Sequence, residues 1–316
     1  MERDIYDLLI IGGGCAGLTA GIYGGRAGLK TAIIEKQSAG GQAEITDEIA
    51  NYPGFDKING AELAERMLAQ AKGFGTQWLQ ADVQSVELDG RVKKLITDSG
   101  TLECHALIIA TGANPKKAGF SGEEEYRGRG VGYCATCDGF FFKDKDIFVI
   151  GGGNSAAEES LYLTRFGKSI KILVRKNELS CAKAIADRVM AHPKIEVLFN
   201  TELVRAFGEE TLKGLVYINN KTGEETEYRV SQEDKTFGIF VFVGYQPNSE
   251  LFRDKLSLDE RGYIITNELM ETSIAGVYAA GDVRPKPLRQ LVTASSDGAI
   301  AAAQAEKYVE GIKAGH

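Results

Sequence analysis

Tyr6-Asp7-Leu8-Leu9-Ile10-Ile11-Gly12-Gly13-Gly14-Cys15-Ala16-Gly17 decides the fold of this chain. The apolar run from Leu8 to Ile11 predicts a strand. The GxGxxG that follows leads into a helix expected over Leu18 to Ala27, and a second apolar strand, Thr31 to Ile34, ends in Glu35-Lys36. This is a βαβ unit with a dinucleotide fingerprint in its first turn. Gly12 makes the turn, Gly14 lets the backbone approach a pyrophosphate at the helix N-terminus beside Cys15 and Ala16, and Gly17 lets helix and strand pack closely. Glu35 can accept the ribose hydroxyls of an adenosine and would repel a 2′-phosphate, so NAD or FAD fits better than NADP. Strand, helix, strand and acid together make the reading specific, where glycines alone would not.

A second fingerprint, Gly151-Gly152-Gly153-Asn154-Ser155-Ala156, follows the strand Asp146 to Ile150 and precedes a helix expected over Ala157 to Phe166 and a strand over Ile170 to Val174. Here the strand ends in Arg175-Lys176. Positive charge at that point accommodates a 2′-phosphate, so this site leans to NADP. Each fingerprint is followed at a similar distance by an apolar strand ending in glycine, Leu107-Ile108-Ile109-Ala110-Thr111-Gly112 and then Ile239 to Val243 with Gly244. That is the pattern of a duplicated domain. Turns at Leu88-Asp89-Gly90-Arg91 and Asn220-Lys221-Thr222-Gly223 predict antiparallel insertions in both copies. Gly276-Val277-Tyr278-Ala279-Ala280-Gly281-Asp282 reads as a buried strand whose aspartate can bond a polyol such as ribityl, or cap a helix.

Between the fingerprints stands Cys134-Ala135-Thr136-Cys137-Asp138. A pair closed through two residues makes a short-loop disulfide that is readily reduced and re-formed. A zinc site would need a second such pair or histidines at ligand spacing, and the sequence has neither, so no metal is expected. The order along the chain points to electron transfer between a bound nucleotide cofactor and a dithiol.

Composition agrees. The 316 residues, 43% hydrophobic, suffice for two domains, and 44 acidic against 37 basic residues argue against nucleic-acid binding. Met1-Glu2-Arg3-Asp4 lacks a signal layout, no long apolar run predicts a membrane span, and five cysteines fit a reducing cytoplasm with one working pair. The histidines, His105, His192 and His316, read as surface or helix-end residues, and Cys104 and Cys181 as inert.

The chain resembles the low-molecular-weight thioredoxin reductases over nearly its whole length. The matching pieces are the two fingerprints, Gly40-Gly41-Gln42, Asn51-Tyr52-Pro53-Gly54, Ala110-Thr111-Gly112-Ala113, Cys134 to Asp138, Ala279-Ala280-Gly281-Asp282 and Arg289-Gln290. The resemblance implies an α/β fold of two Rossmann-like dinucleotide-binding domains of the three-layer ββα type, one inserted in the other. An FAD domain would comprise residues 1–114 and 246–316, and a pyridine-nucleotide domain, 115–245, would carry the redox pair. Asn114-Pro115 and Gln246-Pro247-Asn248 would be hinge strands of a homodimer whose domains swing in turn. It further implies that Cys137 faces the flavin, that Cys134 attacks the disulfide of thioredoxin, and that Asp138 is the general acid.

The donor stays open. NADPH-using members carry His-Arg-Arg at the second strand end and another arginine a few residues on, whereas this chain has Val174-Arg175-Lys176 and, without gaps, Ser180. Each lost arginine should weaken a 2′-phosphate clamp by roughly 1 to 3 kcal/mol. Some relatives lacking the clamp accept electrons from other donors, including ferredoxin, an acidic protein that two basic groups could steer: Arg127, Arg129, Lys143 and Lys145 around the redox pair, and Arg284, Lys286 and Arg289 after the Gly-Asp strand. Cys15 replaces a frequent proline and could be a reactive helix-end thiol or a buried filler, and Ala294-Ser295-Ser296-Asp297-Gly298 replaces a small-residue turn. Competing readings are a dithiol oxidase, the flavoprotein of a peroxide-reducing pair, whose N-terminal thioredoxin-like domains this chain does not show, and a non-enzymatic flavin redox sensor.

Overall fold

A computed structural model describes residues 5–44, 46 and 48–315, so the readings at Met1 to Asp4 and His316 fall outside it. The chain runs through β1 (Tyr6–Ile11), α1 (Cys15–Arg26), β2 (Thr31–Glu35), α2 (Gly60–Gly73), β3 (Gln77–Gln80), β4 (Val83–Glu87), β5 (Lys93–Thr97), β6 (Gly100–Ile109) and β7 (Ala113–Pro115). There follow β8 (Val131–Gly132), α3 (Ala135–Asp138), β9 (Asp146–Ile150), α4 (Asn154–Leu163), β10 (Ser169–Val174), α5 (Lys183–Met190), β11 (Ile195–Phe199), β12 (Thr201–Gly208), β13 (Leu212–Asn219), β14 (Glu225–Arg229) and β15 (Gly238–Val241). Then come β16 (Tyr245–Pro247), β17 (Val277–Ala279) and α6 (Leu291–Lys313). Two compact units result: Met1–Asn114 with Gln246–His316, and Pro115–Tyr245. The chain crosses between them at β7 and β16, which pair with each other.

In the first unit the sheet order is β3-β2-β1-β6-β5-β4, with β17 also on β6. β6 serves three neighbours along its length: Tyr6↔Cys104 to Ile11↔Ile109 join it to β1 in parallel, Thr97↔Gly100 to Lys93↔Cys104 join it to β5 antiparallel, and Val277↔Leu107 begins its parallel pairing with β17. Alternation sorts the side chains to two faces. Leu8, Ile10 and Ile108 face the helix layer of α1, α2 and α6, while Leu9, Ile11 and Ile109 pack with Val86 and Leu95 of the hairpin and with Phe252 and Ile264.

The second unit repeats the plan. Its parallel sheet, β11-β10-β9-β15-β8, carries Ile147, Val149 and Ile172 toward α4 and α5, and Phe148, Ile150 and Leu173 toward the separate antiparallel sheet β12-β13-β14. Each unit is thus three layers.

Several expectations need correction. Both fingerprint helices start three residues earlier than expected, at Cys15 and Asn154, because extended Gly14 and Gly153 are the N-caps. The strand expected over Leu107 to Gly112 is the end of β6, which stops at Ile109, and the one expected over Ile239 to Val243 stops at Val241. Ala294 to Gly298 is no turn but lies in α6, whose start is fixed at Gln290 by a capping box with Thr293. His105 is on β6, partly buried, with Nδ1 lacking a hydrogen-bond partner among the described residues. His192 does follow a helix end, accepting from Lys194 N at 3.2 Å.

Candidate functional site

The first fingerprint is shaped by what a β-carbon would strike. Gly12 has φ +108°, and a β-carbon there would stand 2.4 Å from Ala110 O, while one at Gly17 would stand 1.9 Å from Gly12 O. At Gly14 the nearest atom would be Gly40 O, 4.0 Å away. So Gly12 and Gly17 are required by the protein's own packing, and Gly14 leaves a space. Glu35 accepts from Gly13 N through Oε2 at 2.7 Å and from Gln37 N through Oε1 at 3.0 Å, which fixes its carboxylate beside the turn. Trp78 closes on Gly13 from β3, a wall that no motif announces. Lys36 points to solvent and reaches Asp82 only at 4.0 Å.

Cys15 and Ala16 open α1 and are buried. Burial pushes the Cys15 thiol up to about 12, with Asp282 adding to the rise, so it is the packed filler and not a reactive thiolate. Cys104 is buried and likewise raised to about 12, while Cys181 is partly exposed.

Around this turn stand the other candidates of the first unit. Gln42, just after Gly41, donates to Asn114 Oδ1 at 2.7 Å, and Asn51 donates to Gln290 Oε1 at 2.9 Å. Thr111 donates to Asn248 O at 2.7 Å and Gly112 O accepts from Asn248 N at 2.9 Å, so Asn248, read from sequence only as a crossing residue, is the clasp of that loop. Asp282 follows Gly281 in a 3-10 turn after β17, neither free strand end nor helix cap. Its Oδ1 is buried without a hydrogen-bond partner among the described residues, and burial raises its pKa. Arg289 lies 4.9 Å over the Tyr263 ring. An open glycine cradle, a carboxylate fixed beside its turn and an orphaned buried carboxylate oxygen fit a dinucleotide with a polyol arm, which is FAD.

The expected basic group near this site is not a solvent face. Arg284 Nη1 and Lys286 Nζ reach Asp297 Oδ2 at 3.1 and 2.7 Å, with side chains only 16% and 5% exposed.

In the second unit, a β-carbon at Gly151 would stand 2.4 Å from Phe242 O, whereas Gly153, before Asn154, Ser155 and Ala156, has nothing within 4 Å. The cradle is repeated. Its far rim differs: Arg175 and Lys176 are exposed, Ser180 donates N–H and hydroxyl to Gly152 O at 2.7 and 3.2 Å, and Asn154 Oδ1 accepts from Ala182 N at 2.8 Å. Ser180 is thus turned back onto the turn itself.

Cys134 and Cys137 form a disulfide with Cα atoms 5.3 Å apart. Cys134 is the N-cap of α3, and its sulfur accepts from Cys137 N at 3.2 Å. Cys137 is the more exposed of the two. Asp138 ends α3, and burial raises its carboxyl to about 6. A β-carbon at Gly132 would stand 2.9 Å from Asp138 Oδ2, so the glycine makes room for the acid. Upstream, Tyr133 donates to Glu123 Oε1 at 2.8 Å, and Glu123, 3% exposed, also accepts from Ala118 N and Gly119 N. No motif announces this support, although its partners Ala118, Gly119 and Tyr133 all lie near Glu123 along the chain. Phe140 and Phe141, 62% and 40% exposed, follow the redox pair. Among the described residues no metal-holding cluster occurs and no helix is long and apolar enough to cross a membrane.

Two dinucleotide-binding units and a redox disulfide beside a protonatable acid define a flavin-dependent disulfide oxidoreductase. Comparison with known proteins agrees: the pyridine nucleotide-disulphide oxidoreductase family matches residues 6–298. A thioredoxin reductase of Peptoclostridium acidaminophilum is 48% identical over 309 residues, 98% of each chain, and one of Bacillus subtilis strain 168 is 44% identical over 98% of this chain and 96% of its own. The crystal structure of thioredoxin reductase from Streptococcus pyogenes MGAS5005 superposes with a TM-score of 0.92 at 40% identity, covering 98% of this chain and all of that one. The chain belongs to the pyridine nucleotide-disulphide oxidoreductase family, among its FAD-binding thioredoxin reductases.

Proposed function

We propose that the chain reduces the disulfide of thioredoxin or a thioredoxin-like protein, with Cys134 and Cys137 as the redox pair and Asp138 as general acid. The observation that carries this is the Cys134–Cys137 disulfide at the start of α3, with a carboxyl of raised pKa next to it. Gly12, Gly14, Gly17, Glu35 and Asp282 would hold the FAD, which when bound supplies the electron pair that opens the disulfide. Cys137 takes up that pair as the S–S bond breaks, and Cys134 leaves as a thiolate. Cys134 then attacks one sulfur of the partner's disulfide, and Asp138 protonates the departing thiolate. Cys137 attacks Cys134 in the mixed disulfide, which re-forms the internal bond and releases the partner as a dithiol. Phe140 and Phe141 offer this partner an apolar contact beside the exchanging sulfurs.

The second fingerprint is the pyridine-nucleotide cradle, with Arg175 and Lys176 as the remaining clamp for NADPH. Ferredoxin is the second donor reading. Only the group around the redox pair, with Arg129 and Lys143 exposed, supports it, since Arg284 and Lys286 are held inside. We place the protein in the cytoplasm as a homodimer, as the resemblance implies. Anaerobic stopped-flow mixing with NADPH, NADH and reduced ferredoxin, followed by thioredoxin, tests the scheme. At least one donor bleaches the flavin and thioredoxin restores its colour; a flavin that no donor bleaches refutes it.

A further inference from the structure

The sequence showed Asp297 as one residue of an altered turn. In the structure it is a carboxylate inside α6, only 6% exposed, whose Oδ2 alone receives Gly281 N at 3.0 Å, Arg284 Nη1 at 3.1 Å and Lys286 Nζ at 2.7 Å. A buried charge is costly unless fully paired, so a carboxylate kept among alanines calls for a reason. The three donors supply one: they belong to the turn that carries Asp282 and to the segment leaving it.

The surroundings confine that turn. A β-carbon at Gly281 would stand 3.0 Å from Ala16 Cβ, and one at Gly298 would stand 2.1 Å from Ala16 O, so the fingerprint helix, the Gly281–Asp282 turn and α6 meet at one point. Thr266 Oγ1 accepts from Arg284 Nε at 2.7 Å and Thr293 O from Lys286 Nζ at 2.9 Å, neither of them charged. Two cations therefore face one anion in Asp297. The neighbouring carboxylate that Lys286 and Arg289 also draw upon is Asp282, the one with the unpartnered oxygen.

We infer that Asp297 is a positioning residue of the FAD site: it fixes the Gly281–Asp282 turn and holds Arg284 and Lys286 away from Asp282, leaving Asp282 as the acceptor for the cofactor's hydroxyls. The inference rests on the FAD reading of the first unit. Without the charge on Asp297, Lys286 turns to Asp282 and occupies the oxygen the ligand needs.

The test is FAD release from purified flavoprotein on dilution, followed by flavin fluorescence, with melting recorded in saturating FAD. Asp297→Asn, which keeps the shape and loses the charge, weakens FAD binding about tenfold or more. Adding Lys286→Met removes the surplus cation and brings binding back to within about threefold of the parent. Unchanged FAD affinity in Asp297→Asn, or an equal loss in single and double variants, overturns the inference, the second outcome marking a merely structural role. Should the single variant fail to fold, the double variant decides: FAD held within about threefold supports the inference, and a tenfold loss overturns it. A parent protein that holds no FAD refutes the underlying reading instead.

Discussion

The Tyr245 hydroxyl donates to the carbonyl oxygen of Tyr133 at 2.9 Å, and so holds the backbone immediately ahead of Cys134. Tyr133 is itself anchored by Glu123, so the entry to α3 is fixed from two sides within one unit. Tyr245→Phe removes one of these ties at almost constant volume. It should lower unfolding free energy by about 1 kcal/mol and slow thioredoxin reduction severalfold. Denaturant unfolding and steady-state turnover check this, and turnover at the parental rate would mean that Glu123 suffices.

As the proposed general acid, Asp138 should make the reaction pH-dependent. Burial raises its carboxyl from 3.8 to about 6, so the folded chain keeps a proton that the unfolded chain has lost. Stability contributed by this proton is complete below 3.8 and disappears as pH rises through about 6. The thiol-exchange rate should fall over the same upper limb, as the acid loses its proton. Asp138→Asn should lower that rate roughly 10²- to 10⁴-fold and flatten the profile between about pH 5 and 7. A variant that keeps the parental profile would assign the titration to another group.

Glycines of one fingerprint should behave differently. Gly17→Ala drives a β-carbon into Gly12 O and is expected to destabilise the first unit by several kcal/mol, on the order of an overpacked core. Gly14→Ala meets no protein atom closer than 4.0 Å, so it should fold with a parental melting temperature once FAD is removed from both, yet retain little FAD. Absorbance at the flavin band together with melting of the cofactor-free proteins separates the two cases. Full flavin content in Gly14→Ala would move the pyrophosphate elsewhere.

Much of this was legible in the sequence because it is written locally. The Leu8–Ile11 run, the glycine spacing and Glu35 lie within one βαβ unit, and the parallel registers of β1 and β2 follow from them. What stayed hidden depends on partners outside the local motifs. Arg284 and Lys286 look like a basic surface until Asp297 is seen to accept from both, and Asn248 looks like a linker until Thr111 closes on it. The raised pKa of Asp138 arises from burial beside Gly132, which spacing does not report.

Donor choice should hinge on the rim of the proposed second cradle. Ser180 bonds Gly152 O, which leaves Arg175 and Lys176 as the exposed cations proposed to meet a 2′-phosphate. Ser180→Arg restores one cation and should raise the preference for NADPH over NADH about tenfold, as flavin bleaching rates will show. An unchanged ratio would indicate that the arginine does not reach the phosphate.

The most direct measurement follows two events in one stopped-flow trace of Cys134→Ser: flavin bleaching by the effective donor, and thioredoxin reduction. Bleaching should persist while thioredoxin stays oxidised, because reduction of the flavin by the donor needs no sulfur, whereas Cys137 alone has no S–S bond to take up the electron pair and no thiolate remains at 134 to attack the partner. Thioredoxin reduced by this variant at the parental rate would contradict the route through Cys134.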